Sequence, residues 1–352
     1  MLEDRLQKKL ADRQNKNALR ELTVSSSKID FCSNDYLGFS KKEWKSSESH
    51  GATGSRLISG NSQLHQTAEK LIADFHETEA ALLFNSGYNA NLGLLSCVPQ
   101  KEDTIIYDQL CHASIRDGIK LGLARNFSFK HNDTFHLEEK LKQASGIPFV
   151  IVESVYSMDG DFAPLQEIMR LCQTYNAHLI IDEAHALGVF GKGLAHSIDC
   201  FAKIYTYGKA MGSHGAAIVG SKTLIHYLIN FSRPLIYTTA LSPQSVARIM
   251  WAYEEVERCT NKEKLMDNIS LFKEKCKHPQ LIPSSSAIQC IIIGGNEQTK
   301  RFAKHLQVNN FDVRPILHPT VAEGSERLRI CLHSFNTPEE ISKLCDLINL
   351  SV

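Results

Sequence analysis

The chain has 352 residues, too many for one hydrophobic core, so two lobes and a small arm are expected. Lysine plus arginine and aspartate plus glutamate each total 39, which leaves no net field to hold nucleic acid or an anionic membrane surface and favours a small-molecule partner. The 10 cysteines are scattered without a Cys-x-x-Cys pair, so they read as reduced thiols of a cytoplasmic protein, not as zinc or redox ligands.

Leu2, Leu6 and Leu10 form a helical stripe through a charged N-terminal segment, where a signal peptide needs an unbroken apolar stretch. No later run approaches membrane-spanning length. After an amphipathic arm over 2–20 come the turn Ser33-Asn34-Asp35-Tyr36-Leu37-Gly38 and the glycine-rich stretch Gly51-Ala52-Thr53-Gly54-Ser55-Arg56. From residue 64, helical stripes alternate with short apolar runs at 80–84, 104–107, 127–129, 149–152, 179–181, 204–207 and 216–219, which predicts an α/β fold with a mainly parallel sheet covered on both faces. Beyond Ser242-Pro243 the pattern changes to long helices through about 277. Strand-like runs follow at 288–293, 311–315 and 327–332, with helices near 297–308 and from 337, a smaller α+β lobe. The expected division is an N-terminal arm over 1–45, a large domain over 46–241 and a small C-terminal domain over 242–352.

Two segments carry the chemistry. His178-Leu179-Ile180-Ile181-Asp182-Glu183-Ala184-His185 is an apolar run that stops at an acid and then a histidine, and Thr206-Tyr207-Gly208-Lys209-Ala210 ends a second strand in a glycine-flanked lysine. Acid, imidazole and amine then share one sheet edge, where ligands of such folds bind. The set suits pyridoxal phosphate: the amine condenses with the aldehyde, and the carboxylate keeps the pyridine nitrogen protonated so that the ring accepts electrons. Asn85-Ser86-Gly87-Tyr88-Asn89-Ala90-Asn91 supplies a strand end, a small turn and a helix start for the phosphate. Neither Gly-x-Gly-x-x-Gly nor Gly-x-x-x-x-Gly-Lys-Ser/Thr occurs, which disfavours dinucleotide enzymes and phosphate-loop ATPases.

His112 follows the apolar run at 104–107 and can lie flat over the ring, while Ser157 can reach the ring hydroxyl. Asp159 and Asp161 lack the rest of a calcium-loop pattern, so no metal is expected, and His131 and His136 are expected at the surface. Arg327-Leu328-Arg329-Ile330-Cys331 alternates as an edge strand does, and Arg329 can fork onto a substrate carboxylate.

In chain order, Ser33-Asn34-Asp35-Tyr36-Leu37-Gly38, Ser86-Gly87-Tyr88, His112-Ala113-Ser114, Ser157-Met158-Asp159-Gly160, Asp182-Glu183-Ala184-His185 and Gly208-Lys209-Ala210 resemble the α-oxoamine synthase family. These fold-type-I pyridoxal-phosphate enzymes condense an amino acid with an acyl thioester and release carbon dioxide. The resemblance covers nearly the whole chain and implies Lys209 as the Schiff-base lysine and proton shuttle, Asp182 on the pyridine nitrogen, His112 stacked on the ring, and His185 and Ser157 near its hydroxyl. Gly87, Tyr88 and Thr206 would hold the cofactor. Members are homodimers, so Thr238 and Thr239 would reach the neighbouring subunit's phosphate, and Arg329 would receive the amino-acid carboxylate.

Within the family, Ser286-Ala287-Ile288-Gln289, Arg314-Pro315 and Pro319-Thr320-Val321 resemble the biotin-pathway branch. That branch joins L-alanine to a pimeloyl group carried on coenzyme A or acyl carrier protein, with Arg20 and Thr320 on the substrate side. The alternative is a member that condenses glycine with a short acyl-CoA such as acetyl-CoA. Two stretches depart from the family pattern: 38–51 is short by most of a helix, and 193–203 is also short.

Overall fold

The computed structural model describes residues 1–24 and 27–350. By packing, residues 37–157 with 162–262 form a large unit, and 1–36, 158–161 and the chain from 263 onward form a small one. Helix α1 (Leu2–Asn15) and the short strand β1 (Ile29–Asp30) come first. The large unit follows as α2 (Gln63–Phe75), β2 (Ala80–Phe84), α3 (Gly87–Cys97), β3 (Thr104–Asp108), α4 (Ala113–Leu121), β4 (Arg125–Phe129), α5 (Thr134–Lys142) and β5 (Pro148–Glu153). It continues through α6 (Leu165–Thr174), β6 (His178–Asp182), β7 (Ala202–Thr206), β8 (Ala216–Gly220), α7 (Lys222–Phe231), α8 (Arg233–Ile236) and α9 (Pro243–Arg258). The last part of the chain holds α10 (Asn261–Lys275), β9 (Ile288–Ile292), α11 (Asn296–Val308), β10 (Phe311–Asp312), β11 (Arg314–Ile316), β12 (Arg327–Cys331) and α12 (Pro338–Asn349). In the short stretch near residue 40, Phe39–Lys41 makes a single 3-10 turn and 42–62 forms no helix or strand.

The large sheet has the order β2-β8-β7-β6-β5-β3-β4. Neighbours from β7 to β4 are parallel, and β8 runs antiparallel to both β2 and β7. Its central strands are apolar on both faces because each face is roofed by helices. Ile105, Ile151, Ile180 and Ile204 pack with Ala90, Leu94 and Leu95 of α3 and with Ile115 and Ile119 of α4. The residues between them, Ile106, Val150, Val152, Leu179 and Ile181, pack with Leu137 and Leu141 of α5 and with Ile168 of α6. This period of two is what fixes which side chains emerge beside α3 at the strand ends.

The small unit contains the antiparallel sheet β11-β12-β9 and the parallel pair β1-β10. Its β12 is therefore the central strand, not the edge that its charge alternation suggested. Local partners make this possible: Arg327 pairs with Asp159 and donates to the carbonyls of Met158 (3.2 Å) and Ser325 (2.9 Å). No helix among the described residues is long and apolar enough to cross a membrane. Removing one partner of a buried ion pair strands the other charge. Asp159→Ala should lower the unfolding free energy by about 3 kcal/mol in urea titration. Lys70→Ala, which breaks a solvent-exposed pair with Asp74, should leave it nearly unchanged.

Candidate active site

Strands β5, β6 and β7 bring polar side chains to the carboxyl edge of the large sheet. Asp182 closes β6 and is only 5% exposed. Its Oδ2 accepts from Asn91 Nδ2 at 2.8 Å and its Oδ1 from the Ala184 N–H at 2.9 Å, so both oxygens are held. Asn91 sits on α3, whose first turn is capped by Ser86 Oγ accepting the Asn89 N–H at 3.1 Å. The same Asn91 amide donates to Ser114 Oγ (3.1 Å), and Ser114 Oγ lies 2.8 Å from His112 Nδ1. His112 is the N-cap of α4 and its Nδ1 accepts the Ser114 N–H (3.2 Å). A ring nitrogen that accepts carries no proton, so these contacts place the His112 proton on Nε2. Partial burial pushes the His112 pKa down, reinforced by the Lys209 charge and opposed by Asp182. The imidazole is thus kept neutral near pH 7, and its electrostatics place Lys209 and Asp182 in its surroundings.

Lys209 lies in the connection from β7 to β8. The Tyr207 N–H donates to the Gly215 carbonyl (2.9 Å), the Ser213 N–H to Tyr207 (2.8 Å) and the Gly212 N–H to Lys209 (2.9 Å), which closes the loop on itself. Gly215 has φ 108°, and a Cβ there would meet Leu241 Cδ1 at 2.8 Å.

Gly87 opens α3, and a Cβ at that position would lie 2.2 Å from Thr206 Cγ2, so only glycine lets the helix start approach the end of β7. The first turn of a helix leaves backbone amides without an intrahelical partner, which suits an anion. The Tyr88 ring stands edge-on to His112 with centroids 6.4 Å apart, and its hydroxyl binds Asp117. Thr206 Oγ1 reaches the Ala184 carbonyl at 3.4 Å, and Asn85 Nδ2 donates to the Thr239 carbonyl (2.7 Å) and to Thr238 Oγ1 (3.3 Å). His185 and Ser157 are buried, at 6% and 9% exposure. A buried acid, a loop-held lysine and a helix start with no room for a side chain fit the ring nitrogen, aldehyde and phosphate of pyridoxal phosphate.

The small unit brings Arg20 and Thr320 together, with Arg20 Nη2 donating to Thr320 Oγ1 at 3.1 Å. Arg329 donates to Asn34 Oδ1 (3.0 Å), which also accepts from the Tyr36 hydroxyl (3.0 Å). Asn91 and Ser114 escaped the sequence reading although both lie inside its motifs. The available signal was their position, one helical turn beyond Gly87 and two residues beyond His112. His131 is not a plain surface residue: its Nδ1 binds the fully buried Asp108 at 3.0 Å, and its ring stands against Tyr156 at 4.5 Å. His136 Nδ1 accepts the Lys130 N–H at 2.9 Å. Among the described residues no group of three or more His, Cys, Asp or Glu side chains is arranged to hold a metal ion.

This fold and its sheet-edge site define a fold-type-I pyridoxal-phosphate enzyme. The chain belongs to the aminotransferase class I and II family, whose pattern matches residues 26–348, and within it to the α-oxoamine synthases, enzymes of acyltransferase type. It is 38% identical to "Putative 8-amino-7-oxononanoate synthase" of Glaesserella parasuis serovar 5, over 92% of this chain and 90% of that one. The structure of 8-amino-7-oxononanoate synthase from Francisella tularensis aligns with TM-score 0.78 and 30% identity, over 92% of this chain and 98% of the other. Serine palmitoyltransferase of Sphingomonas wittichii aligns with TM-score 0.85 and 27% identity, over 92% and 87%.

The contact between Gly87 and Thr206 is directly testable. Gly87→Ala should weaken cofactor binding by about tenfold or more, because the new methyl displaces the helix start. Adding Thr206→Ser removes the colliding methyl and should restore most of the loss, measured by equilibrium titration with the cofactor.

Proposed function

We propose that the enzyme condenses L-alanine with a pimeloyl thioester, carried on coenzyme A or acyl carrier protein, to give 8-amino-7-oxononanoate, carbon dioxide and the free thiol. This is the reaction of an 8-amino-7-oxononanoate synthase in biotin biosynthesis. The observation that carries the dicarboxylic substrate is a cavity of about 120 Å³ in the small unit, lined by Arg13, Arg20, His318 and Thr320 among others. Arg13 Nη1 and His318 Nδ1 are buried there without a hydrogen-bond partner among the described residues. A buried guanidinium donor such as Arg13 Nη1 is costly unless an acceptor arrives, and a distal carboxylate is such an acceptor. The names borne by the sequence relatives support the same reading.

The cofactor is pyridoxal 5′-phosphate. When bound, it accepts electron density from the amino-acid Cα. Asp182, its oxygens fixed by Asn91 and Ala184, neutralises a protonated ring nitrogen. Lys209 would be the amine that holds the cofactor's aldehyde end, and it would also be the base that moves the Cα proton. His112 would lie against the ring with a neutral imidazole, and His185 and Ser157 would serve the ring hydroxyl. Gly87, Tyr88 and Thr206 hold the phosphate end, and Arg329 takes the amino-acid carboxylate. The same reading makes the enzyme a cytoplasmic homodimer in which Thr238 and Thr239 complete the neighbour's phosphate site.

The test is product mass. Holoenzyme is incubated with L-alanine, glycine or L-serine, each paired with pimeloyl, heptanoyl or acetyl thioester. Alanine with pimeloyl thioester should dominate; a dominant glycine and acetyl product would establish a glycine C-acetyltransferase instead. Lys209→Ala should abolish turnover while the cofactor still binds without a covalent link. Arg20→Ala should narrow the preference for pimeloyl over heptanoyl thioester by about tenfold or more, through the pimeloyl KM.

A further inference from the structure

A second carboxyl stands beside Asp182. Glu153 ends β5 in register with Asp182 on the neighbouring parallel strand, so the two side chains leave the same face of the sheet at adjacent positions. It is 3% exposed. Its Oε1 accepts the backbone N–H of His112 at 2.5 Å, and the Ser157 N–H donates to the same carboxyl. His112 follows β3 and Ser157 follows β5, so one side chain ties together two loops that carry cofactor-site candidates.

We propose that Glu153 is a positioning residue of the cofactor site: its carboxyl pins the backbones of His112 and Ser157 and keeps its own proton, leaving Asp182 as the one anion beside the ring nitrogen. This rests on the site reading above and is independent of the acyl donor. Two neighbouring carboxyls out of water cannot both ionise cheaply. Asp182 has a side-chain amide and a backbone amide donating to its two oxygens. Burial, and then the Asp182 charge, push Glu153 up to about 8, against the opposing pull of Lys209 and of the two loop amides. The titratable groups that face it are Asp182 from β6, Lys209 from beyond β7, His112 from the start of α4, and Cys111 and Tyr156 from the adjoining loops. At neutral pH Glu153 is therefore the protonated member of the pair, and it loses the proton as pH rises through about 8.

Glu153→Gln keeps an oxygen for the two N–H donors and has nothing to ionise, whereas Glu153→Ala has neither. Cofactor affinity of the full-length protein should fall by about tenfold or more in E153A and be rescued to within about threefold in E153Q. In the infrared difference spectrum between wild-type and E153Q holoenzymes, a protonated-acid C=O band should be present at pH 6.5 and fall to about half near pH 8. Wild-type affinity in E153A overturns the positioning role, and absence of the band overturns the proton assignment. If E153A does not fold, the E153Q affinity and the band decide. Neither readout uses the acyl thioester, so failure here leaves the pimeloyl reading standing, and failure of that reading leaves this one testable.

Discussion

A carboxylate removed from water must be given hydrogen-bond donors, or it takes up a proton and ceases to be an anion. The geometry around Asp182 follows from that requirement. One donor comes from the chain immediately after it, at Ala184; the other has to come from elsewhere, and α3 delivers it as Asn91. For Asn91 to reach, α3 must begin tight against the end of β7, and that approach leaves no room for a side chain at Gly87. The same helix start is the candidate phosphate end, so seating the buried acid and forming that candidate are one packing event. Asn91 then passes the constraint on through Ser114 to His112, which fixes a tautomer as well as a position.

The reversed strand β8 has a comparable consequence for Lys209. Parallel strands need a long crossover that leaves the sheet edge, whereas an antiparallel neighbour can be reached directly. Because β8 pairs antiparallel with β7, the connection between them stays at the carboxyl edge and is braced by backbone hydrogen bonds at Tyr207, Lys209 and Gly215. These bonds fix the backbone that carries Lys209.

Much of this architecture is written locally and so could be read from the chain. The apolar runs are continuous because both faces of the sheet are covered, and the polar residues that stop them, Asp182 and Lys209, mark the carboxyl edge without reference to any other segment. What escaped the reading depends on pairing between distant segments. Glu153 is a plain strand-end acid until register places it beside Asp182. Asn91 looks like another polar residue of a helix start until α3 packs over β6. Charge alternation in β12 suggested an edge because the sequence cannot show that Asp159 and Asn34 meet Arg327 and Arg329. His131 was misplaced for the same reason, its partner Asp108 belonging to a strand that precedes it by more than twenty residues.

Backbone shape and substrate identity separate clearly in this family. A serine palmitoyltransferase superimposes on the chain more closely than does an 8-amino-7-oxononanoate synthase, although the latter is nearer in sequence. Shape therefore carries the cofactor chemistry common to both, and side chains must carry the choice of acyl group. The large unit holds Asp182, Lys209 and the helix start at Gly87, the candidates for the cofactor chemistry. The small unit supplies buried nitrogens without partners at Arg13 and His318, beside Arg20 and Thr320. Under the proposed reading, an acyl chain ending in a methyl group would leave the Arg13 donor unsatisfied, and a chain ending in a carboxylate would satisfy it. That difference, worth about 1–3 kcal/mol for each buried donor, is of the size that separates substrates in hydrogen-bonding sites.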